Sequence, residues 1–223
     1  MSSISTNPYG YLMPAYYPLH LSIAGKKCLV VGGGRTAERK VKTLLHFGGR
    51  VVVVSPEATP AIRTLSRGQK ILWRKRKFRA SDCAGAFLIF AATDSAAINH
   101  RVARLGKEKS IPVNVIDNRD ACDFIVPALV ERGPLTVSIA TEGLAPVLSR
   151  KIRMDLERYF GPDYLRYTLL IGKVRGAIVK NTRLSGKQKR KALQSLLSLP
   201  IREKLALGQK ISRRDILAML GMV

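Results

Sequence analysis

The sequence predicts an α/β protein: a doubly wound parallel sheet, then a small mixed segment, then a helical C-terminal domain. Three observations point there. Between residues 26 and 116, short apolar or β-branched runs alternate with longer amphipathic ones. A glycine-rich turn, VVGGGRTAERK over 30–40, joins the first strand-like run to the first helix-like one. After Asp117 the alternation stops, and from about residue 145 the pattern is helical. The expected parts are therefore 1–116, 117–148 and 149–223.

The strands are expected at 26–31 (KKCLVV), 50–54 (RVVVV), 70–73 (KILW), 86–92 (AFLIFAA) and 112–116 (PVNVI). Continuous apolar runs of this length suit strands covered on both faces, as in a parallel sheet. Helices are expected over 35–47, with Ala37, Val41, Leu44 and Leu45 on one face; over 58–67; and over 95–109, with Ala97, Ile98, Val102 and Leu105 inward. FIVPALV (124–130) and LTVSIA (135–140) read as an antiparallel or crossed strand pair. A helix over 145–160 starts near Pro146, where a missing N–H costs nothing. Further helices cover 163–180 and 185–199, and a last one opens on Ser212 with Asp215 in capping-box spacing. Met13, Tyr16 and Tyr17 are expected to pack around the first strand.

Composition narrows the classes. At 46% hydrophobic residues the 223-residue chain is globular, and at 6% aromatic its core is aliphatic. The segment before Lys27 has no basic stretch ahead of its short apolar one, so a signal peptide is not expected. No apolar run is long enough to span a bilayer. Cys28, Cys83 and Cys122 are scattered, as are the three histidines, so neither disulfides nor a metal site is expected. The expected compartment is the cytoplasm.

The charge is +24, from 39 Lys and Arg against 15 Asp and Glu. Residues 150–223 hold 18 basic and 5 acidic side chains, with RLSGKQKRK (183–191) the densest run. Such a surface could attract nucleic acid, concentrate a polyanionic small molecule, or be a solvated bias without a partner. No zinc-finger spacing or RNP signature is present, and aromatics do not interleave with the basic residues, so nucleic acid is the least favoured partner.

Gly32-x-Gly34-x-x-Ala37 fits the G-x-G-x-x-G/A dinucleotide fingerprint of a Rossmann-like domain. Gly32 permits the tight turn, Gly34 admits a pyrophosphate, and Ala37 lets helix and strand pack closely. Glu57 follows the second strand and suits a ribose 2′-OH, with Ser55 and Pro56 beside it. No Arg follows immediately to meet a 2′-phosphate, which favours NAD over NADP. Glu57 could equally cap the next helix near Thr59-Pro60. Thr93 and Asp94 end the fourth strand, where small residues let a cofactor pass and where they could also cap the following helix.

Taken together, Y-x-P-L (16–19), VVGGGxxAERK, AATDxxxIN (91–99) and VNVIDNxxxCDFIxPA (113–128) resemble the siroheme synthase N-terminal-like family of precorrin-2 dehydrogenases and sirohydrochlorin ferrochelatases. The resemblance runs from about Pro18 to about Tyr159, and the block Asn114–Pro127 is its most specific part. It implies NAD-dependent oxidation of precorrin-2 to sirohydrochlorin by a homodimer, with Fe²⁺ insertion in some members. It implies NAD contacts from Gly32, Gly34, Arg35, Thr36, Pro56 and Glu57, and places the family's key aspartate at Asp117. That residue would serve as general base, since oxidation removes a hydride and a proton; by composition alone, D-N-R-D is turn chemistry. Asp123 is expected to anchor backbone.

A carboxylate-rich macrocycle gives the basic charge a purpose, with Asn114, Arg119 and Thr141 as candidate substrate contacts and Arg150, Lys151 and Arg153 behind them. ATEGLAP (140–146) departs from the family's usual Ser/Thr- and Gly-rich segment, and Glu142 adds a carboxylate where a polyanion would bind. Two other functions remain open on the sequence: an NAD-sensing regulatory module, and a basic nucleic-acid-binding protein.

Overall fold

The computed structural model describes residues 16–222, so Met13 lies outside the described residues. It divides into two compact units, one ending at Val126 and one beginning at Pro127.

The first unit is a five-stranded parallel sheet: β1 (Lys27–Val31), β2 (Arg50–Val54), β3 (Leu72–Arg74), β4 (Leu88–Ala91) and β5 (Val113–Val115). The order is β3-β2-β1-β4-β5, and every adjacent pair is parallel. The register sets Val31 beside Val54 and beside Ala91, so the three central strands end level with one another. The strands are short runs of residues that favour extended backbone, and all but the edge strand β3, where Leu72 is exposed, are largely buried on both faces. One face packs Val30, Val53 and Phe90 against α1 (Arg35–His46) and α2 (Pro60–Arg67); the other packs Leu29, Val52, Ile89 and Val113 with Val102 and Leu105 of α3 (Ala96–Glu108).

On α1, Ala37, Val41 and Leu44 are buried as their spacing predicts. On α3 the inward face is shifted: Ala97 is exposed, and Asn99 and Gly106 are buried beside Val102 and Leu105. A 99–102–105/106 stripe fits the helical repeat as well as one starting at 97, and the polar needs of the β4 exit decide between them. Tyr17 is 85% exposed rather than packed on β1, and the Tyr16 hydroxyl lies 3.5 Å from the carbonyls of Arg119 and Cys122.

A buried ionic knot closes the far side of the sheet. Asp82 has no exposed surface and bonds Arg74 (2.6 Å), Arg76 (2.6 and 2.8 Å) and the Arg79 N–H (2.9 Å). Burial alone would raise the Asp82 pKa, but the bonds from Arg76, Arg79 N–H and Arg74 outweigh it and hold the carboxyl far below the usual range.

The second unit begins with an antiparallel pair, β6 (Ala128–Arg132) and β7 (Leu135–Ile139). Pairing starts only at Ala128; Phe124–Pro127, expected within this strand, lie before it. The rest is helical: α4 (Pro146–Tyr159), α5 (Asp163–Lys180), α6 (Gly186–Ser198), α7 (Ile201–Ala206) and α8 (Arg213–Met219). Ser185 with Gln188, and Ser212 with Asp215, form the capping boxes of α6 and α8. Val174, Ile178, Leu196, Ile201 and Ile216 make the bundle core.

Candidate functional site

In a parallel sheet ordered 3-2-1-4-5, chain direction places every βα loop at the carboxyl edge, and the order reverses beside β1, which is where such sheets bind ligands. The loops carrying the predicted residues all leave that edge: 32–34 after β1, 55–59 after β2, 92–95 after β4 and 116–124 after β5.

The glycine turn is wedged between two of them. Gly32 has φ +123°, and a Cβ there would lie 2.0 Å from the Ala92 carbonyl oxygen. Gly33 is as confined: its Cβ would lie 2.0 Å from the Glu57 carbonyl oxygen. Gly33 was not singled out by the fingerprint, which counts it as a free position. The contact that demands glycine comes from the β2 loop, held by Thr59 N–H donating to the Gly33 carbonyl at 2.9 Å.

Gly34 differs, for a Cβ there meets nothing within 4 Å. It precedes α1 without a side-chain cap, and the first helical bond runs from Glu38 N–H to the Gly34 carbonyl at 2.9 Å. The N–H groups of Arg35, Thr36 and Ala37 therefore lack intrahelical acceptors, which suits a pyrophosphate. Arg35 is exposed and Thr36 half-buried. A dinucleotide fits this turn on sterics and on hydrogen bonding.

After β2, Ser55 is buried and its hydroxyl donates to the Glu57 carbonyl, shaping the loop rather than facing solvent. Pro56 and Glu57 are exposed. Thr59, not Glu57, caps α2 by accepting from Ile62 N–H, so the Glu57 carboxylate is not engaged as a cap. After β4, Thr93 binds Asn99 through its N–H (3.2 Å), hydroxyl (2.8 Å) and carbonyl (2.9 Å). Ser95 rather than Thr93 or Asp94 caps α3, and Asp94 is exposed. Asn99, which the sequence offered only as the last residue of AATDxxxIN and without a role, straps the turn that closes over Gly32.

The block after β5 is an arch with three ties. Asn114, buried on β5, donates from its side-chain amide to the Phe124 carbonyl at 2.9 Å. Cys122 Sγ accepts from Val115 N–H at 3.1 Å. Asp123 accepts from Val113 N–H at 2.9 Å, and its own N–H donates to the Val113 carbonyl at 2.8 Å. Residues 122–124 thus run along β5 and fix both feet of the loop. Burial raises the Cys122 thiol pKa, keeping it a neutral hydrogen-bonding group.

Asp117 tops this arch, exposed, at φ +56°. A non-glycine residue in the left-handed region costs energy, though Asp tolerates it better than most, and the arch imposes it. Among the described residues nothing hydrogen-bonds or ion-pairs its carboxylate. Arg119, in the short 3₁₀ turn that follows, is exposed. Lys40 on α1 holds its ammonium 5.2 Å from the Phe90 ring centre, and burial lowers its pKa.

In the second unit, the Thr141 hydroxyl lies 2.9 Å from the buried Ser149 hydroxyl and accepts from Ala145 N–H at 3.3 Å. Lys151 and Arg153 pair along α4 with Asp155 and Glu157, while Arg150 is exposed. Among the described residues no group of His, Cys, Asp or Glu could hold a metal ion, and no helix is long and apolar enough to cross a membrane.

Comparison with known proteins agrees with this geometry. A family model described as putative NAD(P)-binding matches residues 19–128. The siroheme synthase of Vesicomyosocius okutanii subsp. Calyptogena okutanii (strain HA) is 37% identical over 208 residues, 92% of this chain and 44% of its own length. That of Neisseria meningitidis serogroup C (strain 053442) is 42% identical over 142 residues, 64% of this chain and 30% of its own. This chain thus spans less than half the length of these curated relatives. The solved structure of SirC, precorrin-2 dehydrogenase, matches with a TM-score of 0.73 at 25% identity, covering 93% of this chain and 100% of that one. By sequence likeness and by fold, the chain is similar to siroheme synthases and to the precorrin-2 dehydrogenase SirC.

Proposed function

We propose that this protein oxidises precorrin-2 to sirohydrochlorin with NAD⁺ as hydride acceptor. The observation that carries the reading is the three-tied arch, which presents the Asp117 carboxylate, unpaired among the described residues, at the same sheet edge as the dinucleotide turn. The backbone N–H groups of Arg35–Ala37 hold the pyrophosphate, with the Arg35 and Thr36 side chains beside it. Glu57 accepts from the adenosine ribose, with Pro56 as its floor and Ser55 holding the loop. Thr93 and Asp94 border the cofactor's path. When bound, NAD⁺ supplies a two-electron acceptor. Asp117 removes the proton that the macrocycle loses together with the hydride, which balances the oxidation. Arg119 offers a cation to a substrate carboxylate, and Asn114 acts through the arch.

Fe²⁺ insertion into sirohydrochlorin uses the same carboxylate to take up the two pyrrole protons in turn, each passing on to solvent, the metal being a substrate. The assembly is a homodimer through the second unit, supported by two strands with unpaired outer edges and by exposed Leu144 (70%), Val147 (82%) and Leu148 (51%). Three free cysteines agree with a cytoplasmic setting.

The test is conversion of precorrin-2 with NAD⁺, followed by absorbance; adding Fe²⁺ to sirohydrochlorin without NAD⁺ tests the second activity. Asp117→Asn keeps a side chain that tolerates positive φ, so the fold survives. We expect it to lower kcat about 10²–10⁴-fold while NAD⁺ still binds. Wild-type turnover in this variant would remove Asp117 as the base.

A further inference from the structure

A cavity of about 680 Å³ opens beside the β2 exit, lined by Pro56, Glu57, Arg63, Ser66, Arg67, Trp73 and Lys75. It shares Pro56 and Glu57 with the proposed adenosine end of the dinucleotide, so it begins where the ribose 2′ position would point. We propose that this cavity seats a phosphate on the 2′ position of that ribose, so that the chain accepts NADP as well as NAD. The inference rests on the dinucleotide reading above.

Three cations face the cavity from two elements. Arg63 and Arg67 are one turn apart on α2, and Lys75 follows β3. Among the described residues no carboxylate forms an ion pair with any of them, and the masked residues before Tyr16 contain no acid. Arg63 Nε donates to the Ala58 carbonyl at 2.8 Å, which aims the guanidinium while leaving its other N–H groups for an acceptor. The Trp73 indole N–H donates to the Ser55 carbonyl at 3.0 Å and fixes the ring as one wall. Glu57 is the single acid in the lining, outnumbered three to one.

Like charges gathered around one cavity repel each other, and a phosphate dianion reverses that cost through charge-assisted bonds. Adjacency in sequence favoured NAD, because no arginine follows Glu57 directly. The fold instead supplies the cations six, ten and eighteen residues later, by laying α2 and β3 alongside the β2 exit.

Trp73 is the chain's single tryptophan and lines the cavity, so its fluorescence reports occupancy directly. The experiment titrates the whole protein with NAD⁺, NADP⁺, 5′-AMP and 2′,5′-ADP at one fixed ionic strength, since a +24 chain attracts any anion at low salt. We expect 2′,5′-ADP to bind about tenfold tighter than 5′-AMP, and NADP⁺ at least as tightly as NAD⁺. The R67Q/K75Q variant leaves the Arg63–Ala58 bond intact. It should weaken NADP⁺ and 2′,5′-ADP about tenfold or more, and NAD⁺ by less than about threefold. Binding of NAD⁺ without NADP⁺ or 2′,5′-ADP overturns the inference and leaves the dinucleotide reading standing. NADP⁺ affinity unchanged in R67Q/K75Q overturns the cavity's role. Binding of no nucleotide at all overturns both.

Discussion

The two units reach their cores differently. The first has strands buried on both faces and an apolar layer on each side, from Val30, Val53 and Phe90 on one to Leu29, Ile89 and Val113 on the other. The second has five buried side chains at the centre of its helices, and a strand pair with no further strand on either edge. It also exposes Leu144, Val147, Leu148, Leu197 and Leu207. A sheet with helices on both sides satisfies its own backbone and buries its own apolar surface. A two-stranded ribbon does neither fully. The lesson is that the first unit fixes its loops against a self-sufficient core, while the second leaves apolar side chains at its surface.

The largest expected effect breaks the first unit. Asp82→Asn removes the anion from the knot and strands two part-buried arginines, costing about 3–5 kcal/mol. Urea unfolding at pH 7 measures it. The same knot predicts acid sensitivity. A carboxyl whose folded pKa lies below its unfolded value of about 3.9 contributes fully above pH ~5 and loses that contribution as the pH falls toward the folded value. The wild type should therefore lose stability steeply below pH ~4, and Asp82→Asn should flatten that slope.

Leu196→Ala comes next, at about 2–4 kcal/mol, because it empties one of only five buried positions in the helical core. If the units unfold separately, hydrogen exchange should rise across α5–α8 and leave β1–β5 unchanged. Equal loss of protection in the sheet would show that the units are one cooperative body.

The smallest change sharpens the comparison within the first unit. Gly33→Ala meets the Glu57 carbonyl and should cost about 1–3 kcal/mol of stability. Gly34→Ala meets no atom and should leave the melting temperature nearly unchanged while weakening NAD⁺. Equal melting temperatures for the two variants would contradict the wedged turn.

Much of the fold was legible in the sequence. The five apolar runs became β1–β5, the face of α1 was read at Ala37, Val41 and Leu44, and Ser212 with Asp215 opens α8 as spaced. The errors share a cause. Ala97 was placed inward and Asn99 given no role, because periodicity ranks apolar residues and cannot see that the Thr93 turn needs a buried amide. Thr93 and Asp94 were considered as caps, whereas Ser95 does that work. FIVP was read into a strand, although Asn114 and Asp123 draw residues 123–124 along β5 before β6 begins.

By itself the sequence determined the alternation of strand and helix, the glycine turn at the first junction, and the block that holds Asp117. These are written in spacings of a few residues, the range over which backbone preference and side-chain periodicity act. Only the tertiary structure decided that Gly33 must be glycine, that Asn99 straps the β4 exit, and that Arg63, Arg67 and Lys75 share a cavity with Glu57. Each depends on which loops strand order brings together, and close approach between segments far apart in the chain leaves no periodic trace in either one.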